Sequence, residues 1–556
     1  MAVMTGKRAL MEMLRAEGVG YIFGNPGTSE SPIMDALEEY PDLKYMLVTQ
    51  EGAAMGMADA YARATGRPAF VNLHIETGLA NGISLLHNAH EGGTPMVLSA
   101  GNKDIRELAH GRTDLAKMVE QFTKWSAEAT HPDQIPYFLR RAFNEAKTPP
   151  TGPTFVAFSA NALDGEADVE IVPSPATYSR IAPDGRALRE AVDLLAEASN
   201  PAMVVGDRVG QSDATKEAVK VAELLGSPVY ASLYSEVNFP SSHPQFMDTI
   251  RLGFEDSYEA LSAADVVLVV GKLSSFYYMF SKPVLRFLGP GTKLIHLDVD
   301  QRSVGSTQPT DVAMVADPKV ALGQLAEALE ATMSGSDREA AKGRASVVAE
   351  QTAAVREAWK RRVKERWDAK PMSAERMIAE VAQVLPNDVI IADDAVTTRT
   401  ALHNTLEFDE PGELMSGRGG ALGWGIGGAM GTKLANPDRP IVCIVGDGSA
   451  MMTVQGLWTA AVENIPVVYL ICNNGTYRVL KVNMDAYKKD VLEQDPPQSK
   501  YIGMDFAAPF NLAGMAEAMG VHSRRIEDPE DLGPAVQHAL DLGKPAVLDV
   551  VIDGSH

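Results

Sequence analysis

Residues 440–477, PIVCIVGDGSAMMTVQGLWTAAVENIPVVYLICNNGTY, constrain the fold more than any other segment. An apolar strand runs into Gly446-Asp447-Gly448, a helix follows, and a second apolar strand runs into Asn473-Asn474-Gly475. Strands that alternate with helices in this way form a parallel sheet, and the turns after its strands emerge together at the carboxyl edge, where open α/β folds bind ligands. The segment therefore predicts one carboxylate and one amide that converge on a ligand-binding edge.

This predicted edge suits a phosphorylated ligand and a hard metal ion. The glycines beside Asp447 allow backbone N–H groups at the start of a helix to approach phosphate, which the helix dipole also favours. A carboxylate, an amide oxygen, a backbone carbonyl and two diphosphate oxygens would supply the near-octahedral oxygen shell that Mg²⁺ requires. The alternative is a tight strand-to-helix turn without a ligand.

The strand–helix rhythm recurs along the 556 residues, a length that exceeds what one hydrophobic core supports. Apolar runs such as PAFVNL, DVVLVVG and PAVLDVV are separated by helical stretches. We predict three doubly wound parallel-sheet α/β domains over residues 1–170, 185–335 and 370–553, with linkers near 165–185 and 333–370 where apolar periodicity weakens. The first and third share a similar length and rhythm, which suggests a duplication without a residue-level repeat.

Charge and hydropathy exclude several classes of partner. The formal net charge of -23 opposes binding to nucleic acid and to anionic lipid surfaces. The chain has neither the long apolar run of a membrane-spanning helix nor the apolar N-terminal stretch of a secretory signal, so we predict a cytoplasmic protein. Cys443 and Cys472 lie in apolar runs and are interpreted as small buried hydrophobes.

A second candidate carboxylate lies near the N-terminus. Glu51 ends the apolar strand KYMLVTQ and begins the stretch GAAMGMADAYARATG, which we interpret as an amphipathic helix. This position aims the Glu51 carboxylate into a strand-edge cleft. The alternative is an ordinary acidic residue in the first turn of a helix, where the dipole alone favours it.

The two segments resemble a known superfamily. GDG followed about 25 residues later by NN resembles the thiamine diphosphate (ThDP) binding motif, and EGAAMGMADAYAR resembles the EGAAxxAADAYAR pattern of the ThDP-dependent decarboxylase and acetolactate synthase superfamily. The resemblance implies that Glu51 activates the aminopyrimidine ring of ThDP. It further implies that Mg²⁺ is bound by Asp447, Asn474 and the carbonyl of Thr476, and that the diphosphate side of the cofactor lies against Gly446, Gly448, Ser449 and Tyr477.

The N-terminal segments FGNPGTSESP and NLHIETG are similar to patterns of the benzoylformate decarboxylase family. The similarity implies a catalytic role for His74, and places Thr28 where that family has serine. It extends through the segment GALG, where the family places a carbonyl near the cofactor's amino group and a bulky side chain beneath the cofactor. These two roles fall to Gly420 and Leu422, and further cofactor contacts fall to Val396 and Thr397.

Other positions depart from that family. Its second catalytic histidine has no counterpart in LSSFYYMFSKPVLRF, where Tyr277 or Tyr278 would substitute or simply pack. His110 falls where the decarboxylase has leucine and carboligating relatives have glutamine; the alternative is a surface loop residue. Val482 and Asn483 replace bulky aromatics, which predicts a differently shaped substrate pocket.

Two further patterns carry little functional weight. His87 and His90 are spaced as i, i+3 on a predicted helix, but no third ligand for zinc is in view. The segment VVGDRVG in the central domain lacks the full dinucleotide fingerprint, so FAD is not indicated.

We therefore expect a ThDP- and Mg²⁺-dependent lyase that decarboxylates a 2-oxo acid such as benzoylformate. The alternative is a ThDP-dependent carboligase or acyl transferase, acetolactate synthase-like or 2-hydroxyacyl-CoA lyase-like, and a non-catalytic ThDP-binding protein is the third hypothesis. We also expect a homodimer or homotetramer with sites between chains, as in the family that the chain resembles.

Overall fold

Three six-stranded sheets form the framework of the protein, in a computed structural model that describes residues 2–176, 179–233, 235–250, 254–272 and 287–555. All strand pairs within these three sheets are parallel. Helices separate most successive strands, as parallel crossovers require. The predicted fold class of three parallel-sheet α/β domains is confirmed.

The N-terminal domain contains the sheet β3-β2-β4-β5-β7-β6 and an antiparallel pair, β1 with β8. Its elements are β1 (Ala2–Thr5), α1 (Gly6–Ala16), β2 (Tyr21–Asn25), α2 (Ser31–Leu37), β3 (Lys44–Leu47), α3 (Glu51–Thr65), β4 (Ala69–Leu73), α4 (Ile75–Gly92), β5 (Met96–Asn102), α5 (Leu115–Val119), β6 (Trp125–Ala129), α6 (Gln134–Lys147), β7 (Pro153–Ser159), α7 (Ala160–Asp164) and β8 (Glu166–Val169).

The central domain contains the sheet β11-β10-β9-β12-β13-β14. Its elements are α8 (Gly185–Glu197), β9 (Pro201–Val205), α9 (Arg208–Gln211), α10 (Thr215–Leu225), β10 (Val229–Ser232), β11 (Phe246–Ile250), α11 (Glu255–Ser262), β12 (Val266–Val270), β13 (Lys293–Asp298), β14 (Val312–Val315) and α12 (Pro318–Thr332). The stretch predicted as the second linker is largely one long helix, α13 (Gly335–Glu365), whose first turn is closed by a capping box between Ser334 and Asp337.

The C-terminal domain contains the sheet β16-β15-β17-β18-β20-β19. Its elements are α14 (Ala374–Ala382), β15 (Ile390–Asp394), α15 (Arg399–Thr405), β16 (Leu414–Ser416), α16 (Trp424–Ala435), β17 (Ile441–Gly446), α17 (Asp447–Met452), α18 (Gly456–Val462), β18 (Val468–Asn473), α19 (Arg478–Ala486), α20 (Leu512–Ala518), β19 (His522–Ile526), α21 (Leu532–Asp541) and β20 (Ala546–Val551).

The N-terminal and C-terminal sheets have the same topology. Numbered within each sheet, both follow the order 2-1-3-4-6-5, whereas the central sheet follows 3-2-1-4-5-6. A shared strand order supports the duplication that the similar lengths of these two domains suggested. It also places the loops after β2 and β4 and the loops after β15 and β17 at equivalent edges of their sheets.

The N-terminal and C-terminal domains pack together through α3 and α16. One hydrophobic cluster contains residues of both domains, including Met55 and Trp424, while residues of the central domain form clusters of their own. The contact is backbone to backbone: a Cβ on Gly427 would lie 2.2 Å from the Ala53 carbonyl oxygen, and one on Gly431 would lie 1.9 Å from that of Met57. Only glycine allows this approach.

The amphipathic interpretation of α3 is wrong. Most of its residues are buried, because β2 and β4 cover one side and α16 covers another. The two cysteines are buried and unpaired, as expected. Among the described residues, no helix is long and apolar enough to cross a membrane.

Candidate active site

Glu51 begins α3 directly after β3, and its carboxylate is nearly buried, with 7% of the residue exposed. Asn25, at the end of β2, donates to Glu51 Oε1 at 3.0 Å, and Asn81 on α4 donates to Oε2 at 3.1 Å. No ion pair with Lys, Arg or His involves Glu51 within the described part of the chain. Two amides thus hold the carboxylate in place without neutralising it, which fits a group that must exchange a hydrogen bond or a proton.

His74 lies between β4 and α4 and is backed by the buried Glu30. Its Nδ1 lies 2.8 Å from Glu30 Oε2, and Ser29 Oγ lies 2.9 Å from the same nitrogen. When Nδ1 donates to the carboxylate, Nε2 becomes the nitrogen available to a ligand. Gly27 stacks against the imidazole, since a Cβ there would lie 2.3–2.5 Å from ring atoms.

Gly78 lies against both His74 and Glu51. A Cβ on Gly78 would lie 3.2 Å from His74 Cβ and 3.3 Å from Glu51 Oε1, so the two functional side chains flank the same glycine on the first turns of α4. The N-terminal domain therefore presents a carboxylate and an imidazole side by side at the carboxyl edge of its sheet.

The second predicted cluster forms at the carboxyl edge of the C-terminal sheet. Asp447 Oδ2 accepts from the Gly475 N–H at 2.8 Å, and Asp447 Oδ1 accepts from the Gly448 N–H at 2.7 Å. Asn474 Oδ1 accepts from the Thr476 N–H at 3.0 Å. The structure thus brings Asp447, Asn474 and Thr476 together in adjacent turns, as the motif predicts.

The donor set around Asp447 fits a cation. Burial raises the pKa of the Asp447 carboxyl to about 6, even though backbone N–H groups of Gly475 and Gly448 oppose the shift. Among the described residues, no Lys, Arg or His forms an ion pair with it. A divalent ion bound here would supply positive charge that stabilises the ionised form of this buried carboxylate.

The same edge has room for phosphate. A Cβ on Gly446 or Gly475 would meet no atom within 4 Å, so backbone at both turns faces open space. Gly448 is instead covered by an aromatic wall, since a Cβ there would lie 2.6 Å from the Tyr477 ring. The turns therefore combine open backbone with one closed side, a shape that suits a diphosphate group.

Asp394, at the end of β15, organises the loop before α16. Its Oδ2 accepts from the N–H groups of Gly423 at 3.1 Å and Gly425 at 2.9 Å and from the Ser449 hydroxyl. Burial raises the pKa of Asp394 to about 6. The network ties Ser449, predicted to face diphosphate, to the segment that carries Leu422.

The loop with Gly420 and Leu422 is also held from the N-terminal domain. Asn88, fully buried on α4, accepts from the N–H groups of Gly419 at 3.0 Å and Ala421 at 3.1 Å, and donates to the Ala421 carbonyl at 2.8 Å. Gly420 lies between these bonds with a φ of 80°, and Leu422 is half-buried.

Several other predicted residues lie near these clusters without bonds that would define a role. Thr28 is exposed in the turn Thr28–Glu30, and within the described structure its hydroxyl makes no hydrogen bond. Val396 is exposed and Thr397 half-buried in the turn after β15. Tyr277 and Tyr278 lie outside the described residues, as does the side chain of His110.

His87 and His90, whose spacing carried little weight as a zinc pair, have different surroundings. His87 Nε2 lies 3.1 Å from the Gly419 carbonyl oxygen, which assigns this histidine to the loop contact described above. Within the described ranges, no group of three or more His, Cys, Asp or Glu side chains could hold a metal ion. His90 borders a crevice between the N-terminal and central domains.

Sequence reasoning missed the polar side chains that hold the predicted ones. These residues are Asn25, Ser29, Glu30, Asn81, Asn88 and Asp394. Asn25 and Glu30 stood within the quoted FGNPGTSESP segment, so a search for a partner of His74 among its acidic residues would have found Glu30. Asn88 gave no local signal, because its partners lie more than 330 residues further along the chain.

Three family models match this chain, one in each domain. Residues 4–123 match the N-terminal TPP binding domain of thiamine pyrophosphate enzymes, residues 188–325 their central domain, and residues 394–550 their C-terminal TPP binding domain. The chain belongs to the thiamine pyrophosphate-dependent enzyme family.

Individual relatives cover the chain almost end to end. It is 31% identical over 552 residues to a benzoylformate decarboxylase of Pseudomonas aeruginosa, which spans 98% of both chains. It is 28% identical to a probable acetolactate synthase large subunit of Methanococcus aeolicus, over 99% of this chain and 92% of that one. The structure of a 4-hydroxybenzoylformate decarboxylase of Rhodococcus jostii RHA1 superposes with a TM-score of 0.83 at 26% identity, covering 99% of this chain and 100% of the other. The chain is therefore similar to decarboxylases and to carboligases.

Proposed function

We propose that the protein is a ThDP- and Mg²⁺-dependent lyase that decarboxylates a benzoylformate-like 2-oxo acid to an aldehyde. One observation carries this proposal: Glu51 and His74 lie on either side of Gly78, and the Glu30 carboxylate holds His74 through Nδ1. The 31% identity to a benzoylformate decarboxylase supports the substrate class.

The residues that would hold the diphosphate and Mg²⁺ lie at the carboxyl edge of the sheet in the C-terminal domain. Asp447, Asn474 and the Thr476 carbonyl would bind Mg²⁺, and the open backbone at Gly446 and the Ser449 region would receive the diphosphate. When bound, ThDP supplies a carbon nucleophile and an electron sink that stabilises the carbanion left by decarboxylation.

The chain's own side chains then have defined tasks. Glu51, held by two amides, would hydrogen-bond the aminopyrimidine ring of the cofactor by sharing a proton with it. His74 presents Nε2 to the substrate, where it orients the carboxylate or delivers a proton to the product. Half-buried Leu422 adds apolar surface, which favours loss of charge from the substrate carboxylate.

A carboligase or acyl transferase is the second candidate. The missing second histidine in LSSFYYMFSKPVLRF, His110 and the acetolactate synthase relative favour it. Both reactions share the first half of the cycle, so the same Glu51 and His74 would serve either outcome.

We further propose a cytoplasmic homodimer or homotetramer with sites between chains. Exposed apolar side chains near the C-terminal edge support an additional covering surface there, including Val396 at 39%, Met452 at 44% and Leu480 at 43% exposure. Light scattering of the purified protein at several concentrations tests this assembly, and a monomer with full activity would contradict it.

The deciding experiment measures carbon dioxide release and aldehyde formation from benzoylformate by protein saturated with ThDP and Mg²⁺. Glu51→Ala should lower the rate about 10²–10⁴-fold because it removes a proton-transfer group, whereas Glu38→Gln, at an exposed carboxylate, should leave the rate unchanged.

The product pattern separates the two candidates. Rapid Glu51-dependent aldehyde release supports the lyase. Formation of 2-hydroxy ketones alone, from benzoylformate or from aliphatic 2-oxo acids, would replace it with the carboligase. A rate that Glu51→Ala leaves unchanged would overturn the assignment of this residue.

A further inference from the structure

Helix α4 contacts both halves of the site through two asparagines seven residues apart. Asn81 and Asn88 share one face of the helix, since seven residues complete nearly two turns, and they are separated along its axis by about 10 Å. Asn81 bonds Glu51, in the half that activates the cofactor, and Asn88 bonds the loop of the opposite half. His74 immediately precedes the same helix.

The three hydrogen bonds of the Asn88 side chain all go to this loop. Its amide oxygen receives two backbone N–H groups, and its amide nitrogen donates to one carbonyl, with all three partners on Gly419 and Ala421. The Asn88 amide thus bonds the backbone of the loop much as a neighbouring β-strand would, through both an acceptor and a donor. Neither backbone group of Gly420 takes part in these bonds.

Close packing reinforces the contact. A Cβ on Gly417 would lie 3.0 Å from the Asn88 amide nitrogen, and one on Gly419 would lie 2.7 Å from the His87 ring. His87 Nε2 also lies 3.1 Å from the Gly419 carbonyl oxygen. The loop is therefore fixed on both flanks of Gly420, and the Gly420 peptide is left to face a ligand.

We propose that Asn88 is a positioning residue that sets the orientation of the Gly420 carbonyl toward the cofactor. The proposal rests on the proposed function and on the expectation, from the family resemblance, that this carbonyl faces the cofactor's amino group. Because α4 carries both Asn81 and Asn88, it fixes the Gly420 loop relative to the Glu51 carboxylate. Asn88 acts through the loop and touches no reacting atom.

Asn88→Asp tests the proposal with almost no change in side-chain shape. The carboxylate keeps two acceptors for the N–H groups but places a second oxygen against the Ala421 carbonyl, where the amide donated. Asn404→Asp is the matched control, because Asn404 is exposed and its amide nitrogen donates to the carbonyl of Thr400 within its own helix.

Two measurements on the full-length protein report the loop directly. Hydrogen–deuterium exchange should show faster exchange in peptides covering residues 417–423 of Asn88→Asp, with peptides of α16 unchanged. In ThDP-saturated protein, exchange of the cofactor's thiazolium C2 proton should slow about 10- to 100-fold, as expected when a supporting hydrogen bond is lost. The fold-increase in the Kd for ThDP should be smaller than the fold-decrease in the rate of C2 proton exchange.

Unchanged C2 exchange in folded, ThDP-saturated Asn88→Asp would overturn the proposal, and so would unchanged protection of residues 417–423. Should Asn88→Asp fail to fold, Asn88→Ser removes the same donor without adding charge, and the same criteria apply. Neither measurement needs a substrate, so the wrong 2-oxo acid would leave the test intact. A wild-type protein that does not bind ThDP would instead refute the proposed function. Hydrogen–deuterium exchange of residues 417–423 would still test whether Asn88 holds the loop.

Discussion

Nδ1 of His74 lies 2.8 Å from Oε2 of Glu30, a carboxylate with no exposed surface. The same carboxylate accepts from the backbone N–H of Gly27 at 2.9 Å, from that of Gly101 at 2.8 Å and from the Ser29 hydroxyl at 2.8 Å. Four donors therefore converge on two oxygens. This arrangement holds the carboxylate in place and fixes which nitrogen of His74 carries the proton.

Replacing Glu30 by glutamine should uncouple His74 from this anchor. The amide nitrogen of the introduced side chain would face donors where an acceptor is required, so the imidazole would lose its orientation. We expect kcat for 2-oxo acid turnover to fall about 10- to 100-fold, with a smaller change in KM, in E30Q. Steady-state kinetics with Glu38→Gln as the surface control measure this, and an unaltered kcat would show that the carboxylate only supports the fold.

A methyl group at Gly448 should weaken cofactor binding. The Cβ would lie 2.6 Å from the Tyr477 ring and 3.4 Å from that of Phe506, so the aromatic rings beside this turn must move. We expect the Kd for ThDP, measured by fluorescence titration with Mg²⁺ present, to rise about tenfold or more in Gly448→Ala, since about 1.4 kcal/mol of strain corresponds to that factor. Gly20→Ala, where a Cβ meets no atom within 4 Å, is the control and should bind ThDP as the wild type does.

Two glycine substitutions in helices should change stability in opposite directions. At Gly427 a Cβ would lie 2.2 Å from the Ala53 carbonyl oxygen, and we expect Gly427→Ala to lower the free energy of unfolding by about 1–3 kcal/mol. At Gly343, exposed in α13 with no atom within 4 Å, alanine should raise it by about 0.5–1 kcal/mol through helix propensity. Urea denaturation of both variants measures these free energies, and equal changes in the two variants would contradict the packing argument.

The stability of the protein should depend on pH through His403. Burial, followed by the nearby Arg399, lowers the pKa of His403 from 6.5 to about 4 in the folded protein. Between these values the unfolded chain binds more protons, so acidification from pH 6.5 to pH 4 reduces the free energy of unfolding. Over this pH interval, the free energy of unfolding of His403→Gln should fall by about 2 kcal/mol less than that of the wild type.

The difference between the two proteins isolates His403, because other buried groups such as Asp394 titrate in both. His131→Gln, at an exposed histidine, is the matched control for this pH series. Parallel curves of unfolding free energy against pH for wild type and His403→Gln would exclude the linkage.

The site residues that were predictable from the sequence sit in contiguous motifs. Asp447 and Asn474 follow two strands of one sheet, so the strand–helix rhythm alone brings them to the same edge. Glu51 was predictable as a candidate for the same reason, from its place at the start of α3, which follows β3. Asn88 was not, because a buried asparagine in an apolar helix indicates nothing until the fold brings residues 419–421 beside it.

The interpretation of α3 failed for a related physical reason. Its sequence carries polar residues such as Asp59, which suggested a solvent-facing side. In the structure Asp59 is buried and accepts from the Trp424 indole N–H at 2.7 Å and from the hydroxyl of Thr94. A polar residue that pairs across a domain contact cannot be distinguished from an exposed one by periodicity alone.

The glycine contacts between α3 and α16 also bear on how this enzyme can evolve. Gly427 and Gly431 have carbonyl oxygens where any side chain would begin, so a substitution at either position weakens the contact between the two halves of the site. Val482, with 47% of its surface exposed on α19, has no such constraint. Sequence drift should therefore be faster along the exposed face of α19 than at the joint between the two cofactor-binding domains.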